Sequence, residues 1–377
     1  MRSADARVDA VVAGGGPAGV AAAIVLARAG RSVLLCEAGD GSSRKVGEAL
    51  PPGARPLLRD LGLLERVEGG GHLPSYGNLA AWGDEEPYAV DFLFDPNGHG
   101  WHVDRVALEA ALRDAARDAG AEVALRTPAR LTAGPSPWRL DCGGRSVDAR
   151  AFVDATGRRA ALARVLGARR RRLDRLVALH ATVPARDPRD ADARTILRGV
   201  EDGWWYAALV PGGRRVVAFL TDADLVRPEL RTARGFAAAL EKTELIAVPA
   251  RPDGPPATTA AHGALLSAFA GEGWAAAGDA AIACDPLSSQ GMVTALYTGQ
   301  SAGRAVDGWL AGDADALLAH ARRVAPVAAA YDHNRRQGYA FEWRWRDRPF
   351  WARRVNLVTS GGFAGKGSGG SPMPPEP

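Results

Sequence analysis

The N-terminal part of the chain alternates between short apolar runs and a glycine-rich turn. Residues 8–13 (VDAVVA) are mostly apolar, residues 17–28 (PAGVAAAIVLAR) are small or apolar over three turns, and residues 33–36 (VLLC) are wholly apolar. Short apolar runs of this kind are typical of parallel strands that are buried on both faces. The pattern predicts a strand, a tight turn, a helix and a second strand.

Three glycines, Gly14, Gly16 and Gly19, occupy the turn and the start of this helix. The first permits the tight turn, the second lets the backbone approach a pyrophosphate, and the third lets the helix pack closely on the strand. The free amides of the helix N-terminus would point at the phosphates. Glu37 follows the second strand, eighteen residues after Gly19, where its carboxylate can accept hydrogen bonds from ribose hydroxyls. These features predict an adenine dinucleotide site, but they do not distinguish FAD from NAD.

Three later segments place polar residues at the ends of predicted elements. Residues 102–123 have the pattern of an amphipathic helix leading to a strand, with Arg105 at the helix start. The helix dipole disfavours a cation there, so we expect an anionic group nearby. One predicted strand ends at Asp154, before an Ala-Thr-Gly turn, and another (GWAAAGDA) ends at Asp279. A helix rich in small residues is expected to start near Gln290.

Residues from about 171 to 265 alternate β-like runs with polar turns, which predicts an antiparallel sheet. A strand pair near residues 77–94 is expected to join this sheet. In the run GWWYAALV, Trp204 and Tyr206 share one face of a strand and Trp205 takes the other, because successive side chains alternate.

The composition argues against several classes of protein. The 377 residues are 47% hydrophobic and 24% charged, with a formal net charge of +4, which is typical of a globular domain. There is no run of about eighteen apolar residues, so we expect no membrane span. Three scattered cysteines suit a reducing cytoplasm and predict neither a disulfide framework nor a metal site. We interpret the arginine run at 169–172 as a solvated loop and expect no nucleic-acid partner.

Taken in this order, the segments resemble the flavoprotein monooxygenase superfamily with the para-hydroxybenzoate hydroxylase fold, over roughly residues 7–345. The resemblance implies an α/β protein with a Rossmann-type FAD-binding domain and an antiparallel β-sheet substrate domain. It also implies FAD, O2, and electrons from NAD(P)H or from a separate flavin reductase. The implied divisions are 1–75, 98–170 and 268–358 for the FAD-binding domain and C-terminal helices, 76–97 and 171–267 for the substrate domain, and 359–377 for a disordered tail.

The resemblance further implies which residues contact FAD. In that superfamily the glycine turn and the acid after the second strand hold the ADP half, a G-D motif binds the ribityl chain, and a turn from a proline to a glycine caps the flavin ring. Carried over to this sequence, the cofactor-binding residues are Gly14, Gly16, Pro17, Ala18, Gly19, Glu37, Ala38, Lys45, Glu48, Arg105, Asp154, Gly157, Asp279, Pro286, Gly291 and Met292.

The segment GDAAIACDPLSSQG, which contains Asp279 and Asp285, therefore forms a wall of the flavin pocket on this interpretation. A metal site there lacks nearby histidines. Asp279 is expected on the ribityl or phosphate side. Asp285 either has a functional role or simply ends a strand, and the sequence leaves both open.

Residues 44–63 (RKVGEALPPGARPLLRDLGL) resemble the G-E-[AS]-x-x-P segment of flavin-dependent halogenases. Three departures disfavour halogenation. The halogenase lysine would fall near Tyr76, the W-x-W-x-I-P block has only a partial match at GWWYAALVPGG, and the halogenase glutamate would fall at Ser288. The chain is more similar to halogenase-like flavoproteins that oxidise tryptophan, including maturases of tryptophan-derived quinone cofactors. Those proteins end in an aromatic, arginine-rich segment similar to residues 331–354.

We therefore expect an FAD-dependent monooxygenase that hydroxylates an aromatic substrate through a C4a-hydroperoxyflavin. The substrate would be an aromatic small molecule, such as an indole, or a peptide or protein that carries tryptophan. The alternatives are an FAD-dependent dehydrogenase or desaturase, a halogenase, and a flavin-binding redox sensor without turnover. No general base is evident, because the seven histidines are isolated from one another in the sequence.

Candidates for the substrate pocket are Trp204, Tyr206 and Gln290. Near the C-terminus, Trp343, Trp345 and Trp351 occur among several arginines, and we expect this group to border an entrance that recognises a peptide or protein. The alternative for each of these rings is an ordinary position in the core.

Overall fold

The computed structural model describes residues 6–43, 45–185, 187, 191–246 and 251–359. Of the predicted disordered tail, Thr359 is the last residue of a helix, and the rest lies outside the described residues. The helices in this part of the chain are α1 (Pro17–Arg28), α2 (Ala54–Asp60), α3 (Leu64–Glu68), α4 (Arg105–Asp118), α5 (Ala161–Val165), α6 (Ala233–Glu241), α7 (Gly291–Leu310), α8 (Ala316–Phe341) and α9 (Pro349–Thr359).

The strands alternate with these helices in the first part of the chain and cluster between α5 and α7. In chain order they are β1 (Ala6–Ala13), β2 (Val33–Cys36), β3 (Ala49–Leu50), β4 (Leu73–Ser75), β5 (Gly77–Ala81), β6 (Tyr88–Asp91), β7 (Gly100–His102), β8 (Glu122–Ala124), β9 (Ala129–Ala133), β10 (Trp138–Cys142), β11 (Arg145–Asp154), β12 (Arg170–Arg172), β13 (Leu176–Pro184), β14 (Thr195–Val200), β15 (Gly203–Val210), β16 (Arg214–Asp222), β17 (Ala257–Ala260), β18 (Ala264–Leu266), β19 (Ala270–Gly271), β20 (Trp274–Ala276) and β21 (Ile282–Ala283).

The first large sheet has the strand order β19–β20–β11–β1–β2–β8, with β10 and β9 attached beside β11. The four pairings from β20 to β8 are parallel. The predicted strand at 8–13 lies within β1, and the predicted helix at 17–28 and strand at 33–36 match α1 and β2 residue for residue. Because parallel strands end at the same edge of a sheet, the turns that follow β1, β11 and β20 meet there.

Helices α1 and α7 pack against each other through small residues. A methyl group at Gly299 would lie 2.1 Å from the carbonyl oxygen of Ala18, and one at Gly303 would lie 2.9 Å from that of Ala22. On α1, Ala22 and Ile24 are fully buried. Glycine at these two positions of α7 lets the helices approach closely, so both helices begin at the carboxyl edge of the first sheet.

The second large sheet has the order β17–β13–β16–β15–β14–β5–β6. Every pairing is antiparallel except that of β14 with β5, which is parallel. The predicted antiparallel sheet is therefore confirmed with one parallel pair. The strands expected near residues 77–94 join it as β5 and β6, and β6 forms one end of the sheet.

Helices α8 and α9 cover one face of the second sheet through buried aromatic rings. Trp204 and Trp351 are both fully buried. The indole Nε1 of Trp204 donates to Tyr339 Oη at 3.2 Å, and that of Trp351 donates to the carbonyl oxygen of Val200 at 2.9 Å. Trp82 lies edge-on to both indoles, with ring centroids 6.0 and 5.3 Å away. The structure thus places Trp204 and Trp351 in the core, which corrects their expected positions in a substrate pocket and at an entrance.

The opposite face of the second sheet has its own apolar layer. Trp205 packs there against Phe219 and Phe236, with ring centroids 5.1 Å apart in each case. Trp205 therefore faces away from Trp204, as the alternation along the strand predicts.

Helix α9 is held on the first face by Arg354. This residue is buried and donates to the Asp222 carboxylate at 2.7 Å. Its guanidinium lies 3.7 Å from the centre of the Phe350 ring.

We expect Trp204→Ala to lower the free energy of unfolding by about 3–5 kcal/mol, because it leaves a large cavity among buried rings. Trp343→Ala is the matched control, since Trp343 is 65% exposed and its loss should change the free energy by less than about 0.5 kcal/mol. Urea denaturation followed by circular dichroism measures both values. Equal effects of the two substitutions would contradict the core position of Trp204.

Candidate functional site

A cavity of about 740 Å³ lies between the carboxyl edge of the first sheet and one face of the second. Cofactor sites usually have volumes of roughly 300–1,000 Å³. The sequence-predicted cofactor residues on its lining are Gly14, Gly16, Pro17, Ala18, Glu37, Ala38, Lys45, Glu48, Arg105, Gly157, Asp279, Pro286, Gly291 and Met292. Gly19, Asp154 and Gln290 are not on the lining, and of the substrate-pocket candidates only Tyr206 is.

The turn after β1 forms one end of the cavity. Gly14 has a φ of +113°, and a methyl group there would lie 2.1 Å from the carbonyl oxygen of Ala155. Gly16 has an extended backbone, and a methyl group on it would meet no atom within 4 Å. No side chain caps the N-terminus of α1, so its first amides are available to an anion. This end of the cavity fits a pyrophosphate.

Gly19 and Asp154 act behind the cavity wall. A methyl group at Gly19 would lie 1.8 Å from the carbonyl oxygen of Gly14, so this glycine sets the distance between α1 and the turn. The Asp154 carboxylate is fully buried and accepts hydrogen bonds from the hydroxyl of Thr156 at 2.6 Å and from the amides of Leu162 and Ala163 at 2.9 and 2.8 Å. Asp154 therefore shapes the turn that carries Thr156 and Gly157 to the wall.

Glu37 follows β2 and faces the same end of the cavity. One carboxylate oxygen accepts from the amide of Gly15 at 2.8 Å, and the other accepts from the amide of Gly39 at 2.7 Å. These bonds fix the carboxylate on the lining beside Ala38 and Arg130. A carboxylate can accept about four hydrogen bonds, so it can still bind ribose hydroxyls.

Arg105 begins α4, and its expected anionic partner is Glu109, one turn along the same helix, at 2.6 Å. The guanidinium also donates to the carbonyl oxygen of Gly47 at 2.9 Å, while its buried Nε has no partner among the described residues. Lys45 lies 2.6 Å from the other side of Glu109. Burial opposes ionisation of Glu109, but the two cations prevail and lower its pKa. This arrangement holds cationic groups at the cavity wall.

Asp279 lies on the wall after β20, as the sequence predicts. Its Oδ2 is 3.4 Å from Arg158 Nε, and Arg170 donates to its backbone carbonyl at 2.8 Å. Burial raises the pKa of Asp279, and both arginines oppose this rise. The carboxylate lies on the cavity lining beside Arg158, where it can accept hydrogen bonds from a hydroxylated chain.

Asp285 connects the cavity wall to α8. It is fully buried, its carboxylate accepts from Tyr339 Oη at 2.8 Å, and its amide donates to Tyr331 Oη at 2.7 Å. Burial, together with the nearby Asp174 charge, raises the pKa of Asp285 to about 6. These contacts fix the loop that carries Pro286, so a structural role accounts for this residue.

Helix α7 begins at the far wall of the cavity. Its first residues, Gly291 and Met292, are on the lining, and no side chain caps its N-terminus. The preceding residue, Gln290, is exposed and lies off the lining. The free amides of α7 can therefore stabilise negative charge on a group beside Pro286.

The second sheet forms another wall of the cavity. Among its lining residues, the sequence predicted only Tyr206. The other lining residues from this sheet and the segment after it are Ala178, His180, Val216, Ala218, Leu220, Thr259, Ala260 and Ala261. On β16 the three members alternate along the strand, so they share one face. Alternation identifies the β16 set in the sequence, but only the strand order shows that this set faces the cavity.

Glu48 and Tyr206 meet at this wall. Glu48 is 4% exposed, its Oε2 accepts from the amide of Gly47 at 3.0 Å, and it lies 3.5 Å from Tyr206 Oη. Burial raises the pKa of Glu48, and burial with the neighbouring Glu48 charge raises that of Tyr206. His180 is on the same wall, and burial lowers its pKa. A buried carboxyl with a raised pKa in a cleft is typical of a functional group.

Neither a metal cluster nor a membrane-spanning helix is present among the described residues. No group of three or more His, Cys, Asp or Glu side chains there is arranged to hold a metal ion. None of the helices in the described ranges is long and apolar enough to cross a membrane.

The chain matches the family described as FAD binding domain over residues 7–331, and it belongs to that family. It is 30% identical over 362 residues to the FAD-dependent oxidoreductase LodB of Marinomonas mediterranea, which covers 92% of this chain and 96% of LodB. The protein is therefore a flavin-dependent oxidoreductase.

Solved structures support the halogenase-like branch that the sequence indicated. The fold is similar to that of the flavin-dependent halogenase CmlS, with a TM-score of 0.80 and 25% identity, over 92% of this chain and 67% of CmlS. It is also similar to QhpG, a peptidyl tryptophan dihydroxylase essential for tryptophylquinone cofactor biogenesis. For QhpG the TM-score is 0.77 and the identity is 25%, over 93% of this chain and 79% of QhpG. The predicted fold class and family resemblance are thus confirmed.

We expect Gly16→Val to abolish FAD binding without unfolding the protein. The backbone at Gly16 is extended and the new side chain has free space, so the substitution adds atoms only where the cofactor would lie. Gly53→Val is the control, since Gly53 also has open space and a negative φ but is not on the lining. FAD released on denaturation, measured per mole of protein, is the readout. Normal FAD content in Gly16→Val would contradict the assignment of this turn.

Proposed function

We propose that this protein is an FAD-dependent monooxygenase that hydroxylates an aromatic ring of the indole or tryptophan type, in a small molecule, a peptide or a protein. One observation carries the proposal. The cavity extends from the glycine-rich turn after β1 in the first sheet to the face of the second sheet that carries Tyr206. Similarity to QhpG, a peptidyl tryptophan dihydroxylase, supports the substrate class.

The cavity residues fit FAD at both ends. The uncapped N-terminus of α1 with Gly16 would hold the pyrophosphate, and Glu37 would hold the adenosine ribose. Asp279 would bind the ribityl chain, and the uncapped N-terminus of α7 would lie beside the flavin ring. When bound, FAD would supply the redox and oxygen chemistry, with O2 as oxidant and electrons from NAD(P)H or a separate flavin reductase.

The wall of the second sheet suits a planar, electron-rich ring. Ala178, Ala218 and Ala260 are small, so they leave a shallow surface, while Tyr206 and Leu220 add aromatic and apolar contact area. Aromatic pairs add about 0.5–1.5 kcal/mol beyond the burial of their area. This wall would orient the substrate ring and exclude water from it.

Glu48 and Tyr206 would handle the proton of the reaction. A ring carbon that gains an oxygen atom must release its proton before the ring becomes aromatic again. Glu48 Oε2 would accept that proton, either directly or from Tyr206 Oη, because both groups lie on the lining and 3.5 Å apart. The raised pKa of Glu48 makes it a stronger base than an exposed glutamate.

The lining favours hydroxylation over halogenation. Among the described residues of the lining, Lys45 is the only lysine. Its ammonium is 2.6 Å from the Glu109 carboxylate. Tyr76, near the position of the halogenase lysine, is 59% exposed, and Ser288, at the position of the halogenase glutamate, is not on the lining. These residues do not supply the lysine and glutamate that resemblance to halogenases would require.

We expect the purified protein, supplied with FAD, a flavin reductase, NADH and 18O2, to add labelled oxygen to the indole ring of tryptophan probes. The probes are L-tryptophan, N-acetyltryptophanamide and Gly-Trp-Gly, in buffers with and without bromide, and mass spectrometry is the readout. A brominated product would contradict the proposal in favour of halogenation. Loss of two hydrogens with release of hydrogen peroxide would indicate a desaturase. If no probe changes the rate of hydrogen peroxide release and no oxidised probe is formed, the result would also contradict the proposal.

We expect kcat/KM to fall at acid pH with an apparent pKa above 4.5, the ordinary value for glutamate, because Glu48 must be ionised and burial raises its pKa. Activity then rises with pH through that value. Glu48→Gln should lower kcat by roughly 10²–10⁴-fold and remove this limb of the profile. FAD content is measured in parallel. An unchanged acid limb in Glu48→Gln would show that another group accepts the proton.

A further inference from the structure

The second sheet has a free edge at β6. In the part of the chain that the structure describes, β6 pairs with β5 alone, and its four residues are all exposed. Phe92 donates its amide to the carbonyl of Tyr76 at 2.7 Å, which fixes the hydrogen-bonding phase of this hairpin. Since that phase alternates along an antiparallel pair, the backbone groups of Ala89 and Asp91 point away from β5. They are available to another strand.

Large apolar side chains are exposed along this edge and beside it. Two further exposed rings lie at the end of α8, and Phe341 contacts the connection between β5 and β6, because a methyl group at Gly83 would lie 2.8 Å from its carbonyl oxygen. The exposed fractions are 42% for Tyr88, 48% for Val90, 81% for Leu93, 92% for Phe94, 63% for Phe341 and 65% for Trp343. Large exposed apolar side chains grouped on one part of a surface are typical of an interaction site.

The same segment is strongly acidic, although the whole chain has a formal net charge of +4. Residues 84–95 contain no lysine or arginine. Their carboxylates are those of Asp84, Glu85, Glu86, Asp91 and Asp95. A second copy of this chain would bring a like set of charges against these, which opposes pairing of two β6 edges. A basic partner would be attracted.

We infer that the β6 edge docks an extended, basic segment of a polypeptide partner, which adds a strand to the second sheet. Backbone hydrogen bonds to Ala89 and Asp91 would give the segment its register, and the exposed rings and carboxylates would select apolar and basic side chains. The inference rests on the proposed function for one point only, that the docked polypeptide carries the aromatic substrate. Docking itself is measurable without turnover.

The test uses the full chain with bound FAD and a fluorescein-labelled probe peptide, Lys-Val-Lys-Val-Lys-Val-Lys. We expect the peptide to bind, and Ala89→Pro to weaken binding by at least about ten-fold, because proline removes an outward amide that β5 does not use. Ala89→Val is the matched control, which keeps the amide and should bind within about two-fold of the native chain. Fluorescence anisotropy gives the Kd, and melting temperature and FAD content confirm that each variant is folded.

Several results would overturn the inference. Equal affinity of Ala89→Pro and the native chain would show attraction by charge alone, without strand addition. Equal binding of Glu-Val-Glu-Val-Glu-Val-Glu, or no binding of the basic peptide up to millimolar concentration, would show that the edge does not select a basic strand. A dimer in sedimentation that Ala89→Pro dissociates would make a second copy the occupant. If docking holds but none of the tryptophan probes is hydroxylated, the proposed function fails and the docking surface stands.

Discussion

The close approach of three backbone turns at the carboxyl edge of the first sheet is the constraint on which the site depends. Gly14 brings the turn after β1 against Ala155, where a methyl group would be 2.1 Å from a carbonyl oxygen. Gly278, after β20, also comes close to α1, since a methyl group on it would lie 2.7 Å from the Ala18 side chain. With the turns this close, α1 and α7 both begin at one cavity, and two uncapped helix N-termini face the same space.

Charge is distributed so that the cavity and the sheet edge suit different partners. Lys45, Arg105 and Arg158 are cations on the cavity lining, where a phosphorylated cofactor would be attracted. The β6 hairpin has only acidic charges and lies at the end of the sheet that also carries Tyr206. One sheet therefore connects the proposed substrate wall to the proposed docking edge, through the continuous ladder from β15 to β6.

Local signals in the sequence predicted local structure well. The elements α1 and β2 were predicted residue for residue, and most of the cofactor residues implied by resemblance lie on one cavity, because turn chemistry and apolar period depend on near neighbours. The features that the sequence did not predict depend on contacts between residues that are far apart in the chain. Trp204 is buried by Tyr339, 135 residues away, and Glu48 meets Tyr206 across 158 residues. No local pattern reports where α8 covers the sheet or which strand faces become the cavity wall.

The central claim is that one cavity holds both the cofactor and the aromatic substrate. A crystal structure of the FAD-bound protein soaked with Gly-Trp-Gly tests it most directly. We expect FAD to extend from Gly16 and Glu37 to the N-terminus of α7, with the indole against the wall that carries Tyr206 and Ala218. An indole bound outside this cavity, or FAD that fills the space beside Tyr206 and leaves no room for a ring, would contradict the account.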